Sequence, residues 1–123
     1  MLIPVLQSKI HRATVTDAQL HYEGSLTIDA ALMELAGLVE YQQIQVYNVT
    51  RGHRFETYAM VGERESGMIR VNGAAAHLAN KDDLIIIAAY GLVPREEAAD
   101  HEPRLVFVDH RNRPAPKPAI MPV

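Results

Sequence analysis

The sequence predicts a small, mainly β domain that closes into a barrel and carries a few short helices. Roughly seven short segments either alternate apolar with polar residues or are rich in Ile, Val and Thr, which is typical of strands. Only one segment combines a helical pattern with good capping residues at both ends. The chain has 123 residues, enough for one compact domain. Because an open sheet of so many strands would leave exposed edges, closure into a barrel is favoured.

The predicted strands follow one another with short turns between them. The first two, residues 2–6 and 9–15, are rich in Ile, Val and Thr, and Thr16-Asp17 is expected to begin a turn or a helical hook. A glycine turn at 50–53 joins two alternating segments into a hairpin. The hairpin strands and the remaining predicted strands cover residues 25–28, 44–47, 54–59, 68–71, 84–89 and 105–108.

The clearest helix is expected over residues 30–36. Asp29 is a good N-cap, and Gly37 is the residue type that most often follows the last turn of a helix. The pattern places Leu32 and Leu35, together with Met33, on the buried side of this helix. Shorter helical turns are expected over residues 74–78 and 94–99.

Composition limits the organisation and the partners of the chain. We expect one barrel domain over residues 1–123, ending in an extended, proline-rich tail from about residue 112. The net charge is −3 and no basic stripe is present, so nucleic acid is not an expected partner. No apolar run approaches the ~20 residues of a membrane span, and no signal peptide is recognisable, so a cytoplasmic location is expected. The chain has no cysteine and no metal-ligand spacing of histidines, so no metal site is predicted.

The Gly24-Ser25 bond is the most informative feature for chemistry. A serine hydroxyl can attack the carbonyl on its upstream side, which converts the peptide to an ester. Elimination from that ester gives dehydroalanine, and its hydrolysis with loss of ammonia leaves a ketone at the new chain terminus, so the chain could make its own electrophile. The same dipeptide is also typical of an ordinary turn that enters a strand, and the bond alone does not decide between these readings.

Two predicted strands carry cationic groups that could bind an acid. Lys9 and His11 are two residues apart and therefore share one face of their strand. Arg54 and Glu56 likewise share a face. Each of these faces could equally be an ordinary solvated surface.

Two further segments offer polar groups. Thr57 and Tyr58 supply adjacent hydroxyls, which point to opposite faces of a regular strand. The segment 72–77, Asn-Gly-Ala-Ala-Ala-His, combines a tight turn with small side chains, so its backbone N–H groups could hold an anion. A small-residue turn packed against a neighbouring strand would look the same.

Four motifs in the same order and spacing resemble the aspartate 1-decarboxylase family, and the similarity runs from about residue 6 to residue 108. The family consists of pyruvoyl-dependent lyases that convert L-aspartate to β-alanine and CO₂ for pantothenate synthesis. The resemblance implies a double-psi β-barrel that assembles as a homotetramer with active sites between subunits. It also implies a covalent pyruvoyl group in place of pyridoxal phosphate or a metal. The motifs are Lys9-x-His11-Arg12, residues 20–25, residues 48–58 and residues 71–77.

The resemblance also implies roles for individual residues. Self-cleavage would separate a β chain, 1–24, from an α chain, 25–123, with the pyruvoyl group made from Ser25 and the attacked carbonyl supplied by Gly24. Thr57 and Tyr22 would help to hold the oxyanion during processing, Tyr58 would donate a proton to the decarboxylated carbon, and Asn72 would lie beside the pyruvoyl group. The residues implied to contact substrate are Lys9, His11, Arg54, Thr57, Gly73, Ala74 and Ala75.

Three departures from the family pattern are modest. Leu26 stands where many members have a small residue or cysteine, Leu78 where cysteine is common, and Tyr47 where some members have tryptophan. None of them removes an implied functional group. Two other functions remain open at this level. One is an N-terminal-nucleophile hydrolase, in which the new terminal serine keeps its amine. The other is an uncleaved, non-catalytic barrel. Members that mature unaided and members that need a maturation partner both resemble this chain.

Overall fold

Nine strands and one α-helix make up most of the computed structural model, which describes residues 1–119. Two short 3₁₀ helices, Gly73–His77 and Arg95–Asp100, flank the longest strand of the second half. The remaining elements, in chain order, are β1 Leu2–Thr14, β2 Asp17–Gln19, β3 Ser25–Asp29, α1 Ala30–Ala36, β4 Gln43–Asn48, β5 Arg54–Gly62, β6 Ile69–Asn72, β7 Leu84–Pro94, β8 Arg104–Val108 and β9 Pro114–Ala115.

The sheet closes on itself through the first two strands. Its order is β2-β6-β3-β5-β4-β7-β1-β8-β9, and β2 continues β1 after only two residues. At that junction Thr16 N donates to Ile69 O at 2.8 Å, and Ile69 N donates to Thr16 Oγ1 at 2.9 Å. The first part of the chain therefore pairs with β7 as β1 and, two residues later, with β6 as β2. This closes a six-stranded ring and removes its edges. The structure confirms the predicted class, a double-psi β-barrel with short helices.

Alternation along the strands separates the core from the outer face. In β3 and β6, Leu26, Ile28, Ile69 and Val71 are all fully buried inside the barrel. Because successive strand residues point to opposite faces, the residues between them lie on the outer face. This alternation is what places Ser25 on the outside of the barrel.

Local signals set the ends of α1, as the sequence predicts. Asp29 Oδ1 accepts from Ala31 N at 2.8 Å, and Gly37 adopts a left-handed φ of 71° after the last turn. The prediction that Leu35 is buried is wrong, since it is 49% exposed while Leu32, Met33 and Ala36 are buried. At 100° per residue those three centre on one side of the helix, and Leu35 lies roughly 105° away from that centre.

Three predicted boundaries differ from the structure for non-local reasons. The predicted strands 2–6 and 9–15 are one strand, because a register shift between Leu6 and Ser8 lets β1 continue past Gln7 along β7. The turn predicted at Thr16-Asp17 is only the kink before β2, which pairs in parallel with β6. The predicted strand 84–89 extends to Pro94.

The tail is tied to the barrel at its start. Pro114–Ala115 pairs with β8, and the buried side chain of Asn112 bonds to both N and O of Thr14 and to Gly67 O, each at 2.8 Å. The part of the predicted extended tail over residues 120–123 lies outside the described residues.

Candidate active site

The outer face of β6, β3 and β5 carries the side chains around Ser25. Ser25 is paired with Asn72, and Thr27 is paired with Arg70, in antiparallel register. On the other side of β3, Thr27 is paired in parallel with Met60. Polar residues therefore stand in two short rows across these strands, and the register alone fixes which side chains are neighbours.

Asn72 holds the hydroxyl of Ser25. Both residues are only 4% exposed, and Asn72 Nδ2 donates to Ser25 Oγ and to Thr27 Oγ1, each at 2.9 Å. Because Oγ accepts this bond, its own proton remains available for removal. Among the described residues Asn72 Oδ1 is buried without a partner. Such an orphaned acceptor is costly unless a further donor arrives at the site.

Gly73 presses against the peptide that precedes Ser25. Its φ is 68°, and a Cβ at this position would lie 2.7 Å from both Cα and N of Gly24 and 2.8 Å from Tyr22 O. No L-residue fits here without moving backbone, so the glycine allows the start of the 3₁₀ helix to approach Gly24. Ala74 and Ala75 continue this small-residue surface.

The Gly24-Ser25 bond lies between two clefts. One, of about 710 Å³, is lined by Ser25, Tyr22 and Asn72, together with Arg70. The other, of about 420 Å³, is lined by Gly24, Thr57, Ala74 and Ala75. Tyr58 borders both clefts. The structure thus brings together nine of the residues implied by the resemblance: Tyr22, Gly24, Ser25, Thr57, Tyr58, Asn72, Gly73, Ala74 and Ala75.

The three remaining residues implied to contact substrate, Lys9, His11 and Arg54, lie elsewhere on the same chain. Lys9 lies on β1 and is paired with Ala88 of β7. Neither Lys9 nor His11 is among the residues that line the two clefts beside Ser25. His11 lies on the same strand as Lys9. A single chain therefore does not bring Lys9 or His11 to Ser25.

Arg54 belongs to this cationic face and is held by aromatic residues. Its guanidinium carbon lies 4.1 Å from the ring centroid of Tyr47, the residue directly opposite it in β4. The hydroxyl of Tyr47 shares a 2.8 Å hydrogen bond with that of Tyr90. This bond, with burial, raises the pKa of Tyr90. The stack fixes the direction of the Arg54 fork.

His11 is kept neutral by its surroundings. Its ring centroid lies 5.6 Å from that of Phe107. Burial lowers the pKa of His11, and the charges of Lys9 and Arg12 lower it further. The positive charge of this face at neutral pH therefore comes from Lys9 and Arg54, with the imidazole as an uncharged neighbour.

Sequence reasoning missed Arg70 and Tyr90. Arg70 stands two residues before Asn72 and so shares its face, which a period of two could have indicated. Tyr90 is 43 residues from its partner Tyr47, and no local signal marks it. Over residues 1–119, no cluster of three or more His, Asp or Glu residues could hold a metal ion. The same part of the chain contains no helix long and apolar enough to cross a bilayer.

The geometry suits chemistry at the Gly24-Ser25 peptide: a buried hydroxyl beside its own upstream carbonyl, a held amide donor, and an open cleft on the hydroxyl side. Comparison with known proteins points to a specific family. Residues 1–115 match the family described as aspartate decarboxylase.

Three relatives show how extensive the similarity is. The aspartate 1-decarboxylase of Leptospira biflexa serovar Patoc (strain Patoc 1 / Ames) is 56% identical over 115 residues, which cover 93% of this chain and 98% of the relative. The protein of that name from Thioalkalivibrio sulfidiphilus is 55% identical over 113 residues, 92% of this chain and 90% of the relative. The one from Caldicellulosiruptor saccharolyticus is 57% identical over 113 residues, 92% and 88% of the two chains. The chain belongs to the aspartate decarboxylase family.

Proposed function

We propose that this chain is made as a proenzyme, cleaves itself at Gly24-Ser25, and then decarboxylates L-aspartate to β-alanine and CO₂. The observation that carries the proposal is the buried Ser25 hydroxyl, held at 2.9 Å by Asn72 Nδ2 in an open cleft. It stands in a chain whose relatives over nearly its whole length are named aspartate 1-decarboxylase.

In processing, Ser25 Oγ attacks the carbonyl of Gly24. The hydrogen bond from Asn72 fixes the rotamer of Ser25, so the hydroxyl is oriented before the attack. Thr57 shares a cleft with Gly24, which suits its hydroxyl to stabilise the oxyanion that forms on the Gly24 carbonyl. Gly73 prevents the Gly24 backbone from retreating, since the two backbones are already in close contact.

The residues around Ser25 fit a pyruvoyl group at this position. The group is no larger than the serine it replaces, and the unpartnered Asn72 Oδ1 marks a polar environment that the serine does not fully satisfy. A bound pyruvoyl group supplies an electron sink for the carbanion that decarboxylation leaves. Asn72 would hold this end of the site, and the backbone of Gly73, Ala74 and Ala75 would border the substrate.

Substrate binding requires the cationic face of another copy of the chain. Aspartate carries two carboxylates, and Arg54 and Lys9 are suited to bind them, Arg54 through a bidentate fork and Lys9 as a compact charge. Neither of them lines a cleft beside Ser25 of its own chain. We therefore infer a homotetramer in which Lys9, His11 and Arg54 of one subunit face the Ser25 cleft of its neighbour.

The tyrosines beside Ser25 take the remaining roles. Tyr58 borders both clefts, so its hydroxyl is suited to protonate the carbon from which CO₂ has left. Tyr22 lies in the segment that precedes the cleavage site and would assist processing. β-Alanine from this reaction would enter pantothenate synthesis in the cytoplasm. Cleavage of the purified protein, incubated without any other protein, would show that no maturation partner is needed.

Replacing Ser25 tests the proposal. The wild-type protein should form β-alanine from L-aspartate, and Ser25→Ala should remain a single chain and form none. Ser25→Ala keeps the backbone and removes only the hydroxyl, so folding can be compared directly by circular dichroism. Decarboxylation by a folded Ser25→Ala protein would refute the assignment of Ser25.

A further inference from the structure

Arg70 is the one arginine or lysine among the described residues that line the Ser25 cleft. It lies on the outer face of β6, two residues before Asn72 and opposite Thr27. In an antiparallel pair this makes Arg70 the diagonal neighbour of Ser25, ~7–8 Å away and within reach of a long side chain. None of the roles described above uses this guanidinium.

The guanidinium of Arg70 lacks a hydrogen-bonded anionic partner. Its Nε is buried without a hydrogen-bond partner among residues 1–119. Asp17 Oδ2 lies 3.7 Å from that Nε, too far for a hydrogen bond. The carboxylate of Asp17 is already engaged, since it accepts from Ala18 N at 2.9 Å and from Gln19 Nε2 at 2.8 Å. Arg70 can therefore take up another anion without breaking a hydrogen bond.

The proposed processing creates an anion in this same cleft. When Ser25 Oγ has attacked, the acyl group of Gly24 is bonded to Oγ, which faces the cleft beside Asn72. Elimination then passes the Cα proton of Ser25 to solvent water and forms the Cα=Cβ double bond. The Cβ–Oγ bond breaks, and its electron pair leaves on the new carboxylate of Gly24. The negative charge thus develops on an atom that was Ser25 Oγ.

Two features connect Arg70 to that carboxylate. The guanidinium carbon of Arg70 lies 5.9 Å from the ring centroid of Tyr22, two residues before the new chain end. Glu23 and Glu63 also line the cleft, so an additional carboxylate there would meet two like charges. A cation beside the leaving oxygen would offset that repulsion.

We propose that Arg70 stabilises the Gly24 carboxylate as it leaves Ser25 and then holds it as the C-terminus of the β chain. The inference rests on the proposed self-cleavage and assigns a residue to its elimination step. Arg70 acts after the acyl shift, and its loss should slow elimination while the ester still forms.

Hydroxylamine separates the two steps. It attacks the ester carbonyl, so it cuts the chain as soon as the ester is formed, whereas spontaneous cleavage also requires elimination. We would follow both by denaturing intact-mass spectrometry of freshly purified wild-type, Arg70→Met and Arg70→Lys proteins. Arg64→Met is the matched control, because Arg64 is an exposed arginine that pairs with Glu34 away from the cleft. Circular dichroism and thermal unfolding would verify that each variant is folded.

Spontaneous cleavage of Arg70→Met should be about ten- to a hundredfold slower than wild type, the effect of losing one charge-assisted hydrogen bond. Cleavage by hydroxylamine should stay within about twofold of wild type, since the acyl shift does not use Arg70. Arg70→Lys should recover part of the spontaneous rate, and Arg64→Met should match wild type.

Two results would overturn the inference while leaving the proposed function intact. Spontaneous cleavage of Arg70→Met at the wild-type rate would show that Arg70 has no part in processing. A raised KM for aspartate in the same variant would assign Arg70 to substrate binding instead. Equal slowing of the spontaneous and the hydroxylamine reaction would show that Arg70 acts on the acyl shift, before the ester has formed. Absence of any cleavage in the wild-type protein, both alone and with added cell extract, would instead overturn the proposed function itself.

Discussion

Replacing Gly73 by alanine tests the contact that holds the cleavage site. The added Cβ would lie 2.7 Å from Gly24 Cα and N, and the φ of 68° is unfavourable for any L-residue. The left-handed conformation costs about 1–2 kcal/mol. Overpacking against backbone that cannot rotate away adds about 1–3 kcal/mol. We therefore expect Gly73→Ala to lower the free energy of unfolding by about 2–5 kcal/mol.

Gly52→Ala is the matched control. Gly52 has a similar φ of 79°, but nothing lies within 4 Å of its hypothetical Cβ. The free energy of unfolding of this variant should fall only by the cost of the left-handed conformation, about 1–2 kcal/mol. The difference between the two variants isolates the contact with Gly24. Urea unfolding should be measured in a Ser25→Ala background, where every protein remains one chain, and at equal protein concentration, because assembly affects apparent stability.

The same contact should affect processing. To restore an ordinary contact of 3.4 Å, Gly24 must move away from Gly73 by roughly 0.7 Å, and displacements near 1 Å cost about a hundredfold in rate. With Ser25 present, Gly73→Ala should cleave about ten- to a hundredfold more slowly than wild type, and Gly52→Ala at the wild-type rate. Equal stability losses in the two variants, together with normal cleavage of Gly73→Ala, would refute the reasoning.

Three further predictions concern the cationic face. Arg54→Ala should raise KM for aspartate about ten- to a hundredfold and leave self-cleavage intact; a wild-type KM would remove Arg54 from the substrate site. Tyr90→Phe, which removes the bond that holds Tyr47 under Arg54, should raise KM about two- to tenfold at unchanged kcat, and an unaltered KM would show that stacking suffices. Burial and the charge of Lys9 lower the pKa of His11, so the unfolded chain binds this proton more readily than the native one. Stability should therefore fall as pH drops below about 6.5, and urea titrations should show a smaller fall for His11→Gln; identical slopes would contradict this.

Local signals were sufficient for the elements whose causes are local. Asp29 and Gly37 predicted both ends of α1, because a cap acts on backbone groups within two or three residues. The hairpin of β4 and β5 was equally predictable from its alternation and its glycine turn. The exposure of Leu35 could not be predicted in this way, because the side of a seven-residue helix that faces the core depends on the direction in which β3 enters the helix.

Non-local pairing explains the other differences. Whether Asp17 turns or forms a strand depends on β6, 53 residues further along the chain, and nothing near Asp17 encodes that parallel pairing. The same holds for the candidate site, where Ser25 meets Asn72 across 47 residues. Motif order suggested that these residues act together; a period of two puts Arg70 on the face of Asn72, but only the register shows that this face meets Ser25 and Thr27. The separation of Lys9 from Ser25 likewise follows from the strand order, which the sequence pattern does not specify.

Denaturing intact-mass spectrometry of the purified wild-type protein after warm incubation tests the central claim most directly. The account predicts two chains divided between Gly24 and Ser25, with the larger one lighter by about 17 Da, one ammonia, than a serine terminus requires. Two chains with an unmodified serine terminus would indicate an N-terminal nucleophile instead. A single intact chain that also forms no β-alanine with added cell extract would contradict the self-processing account.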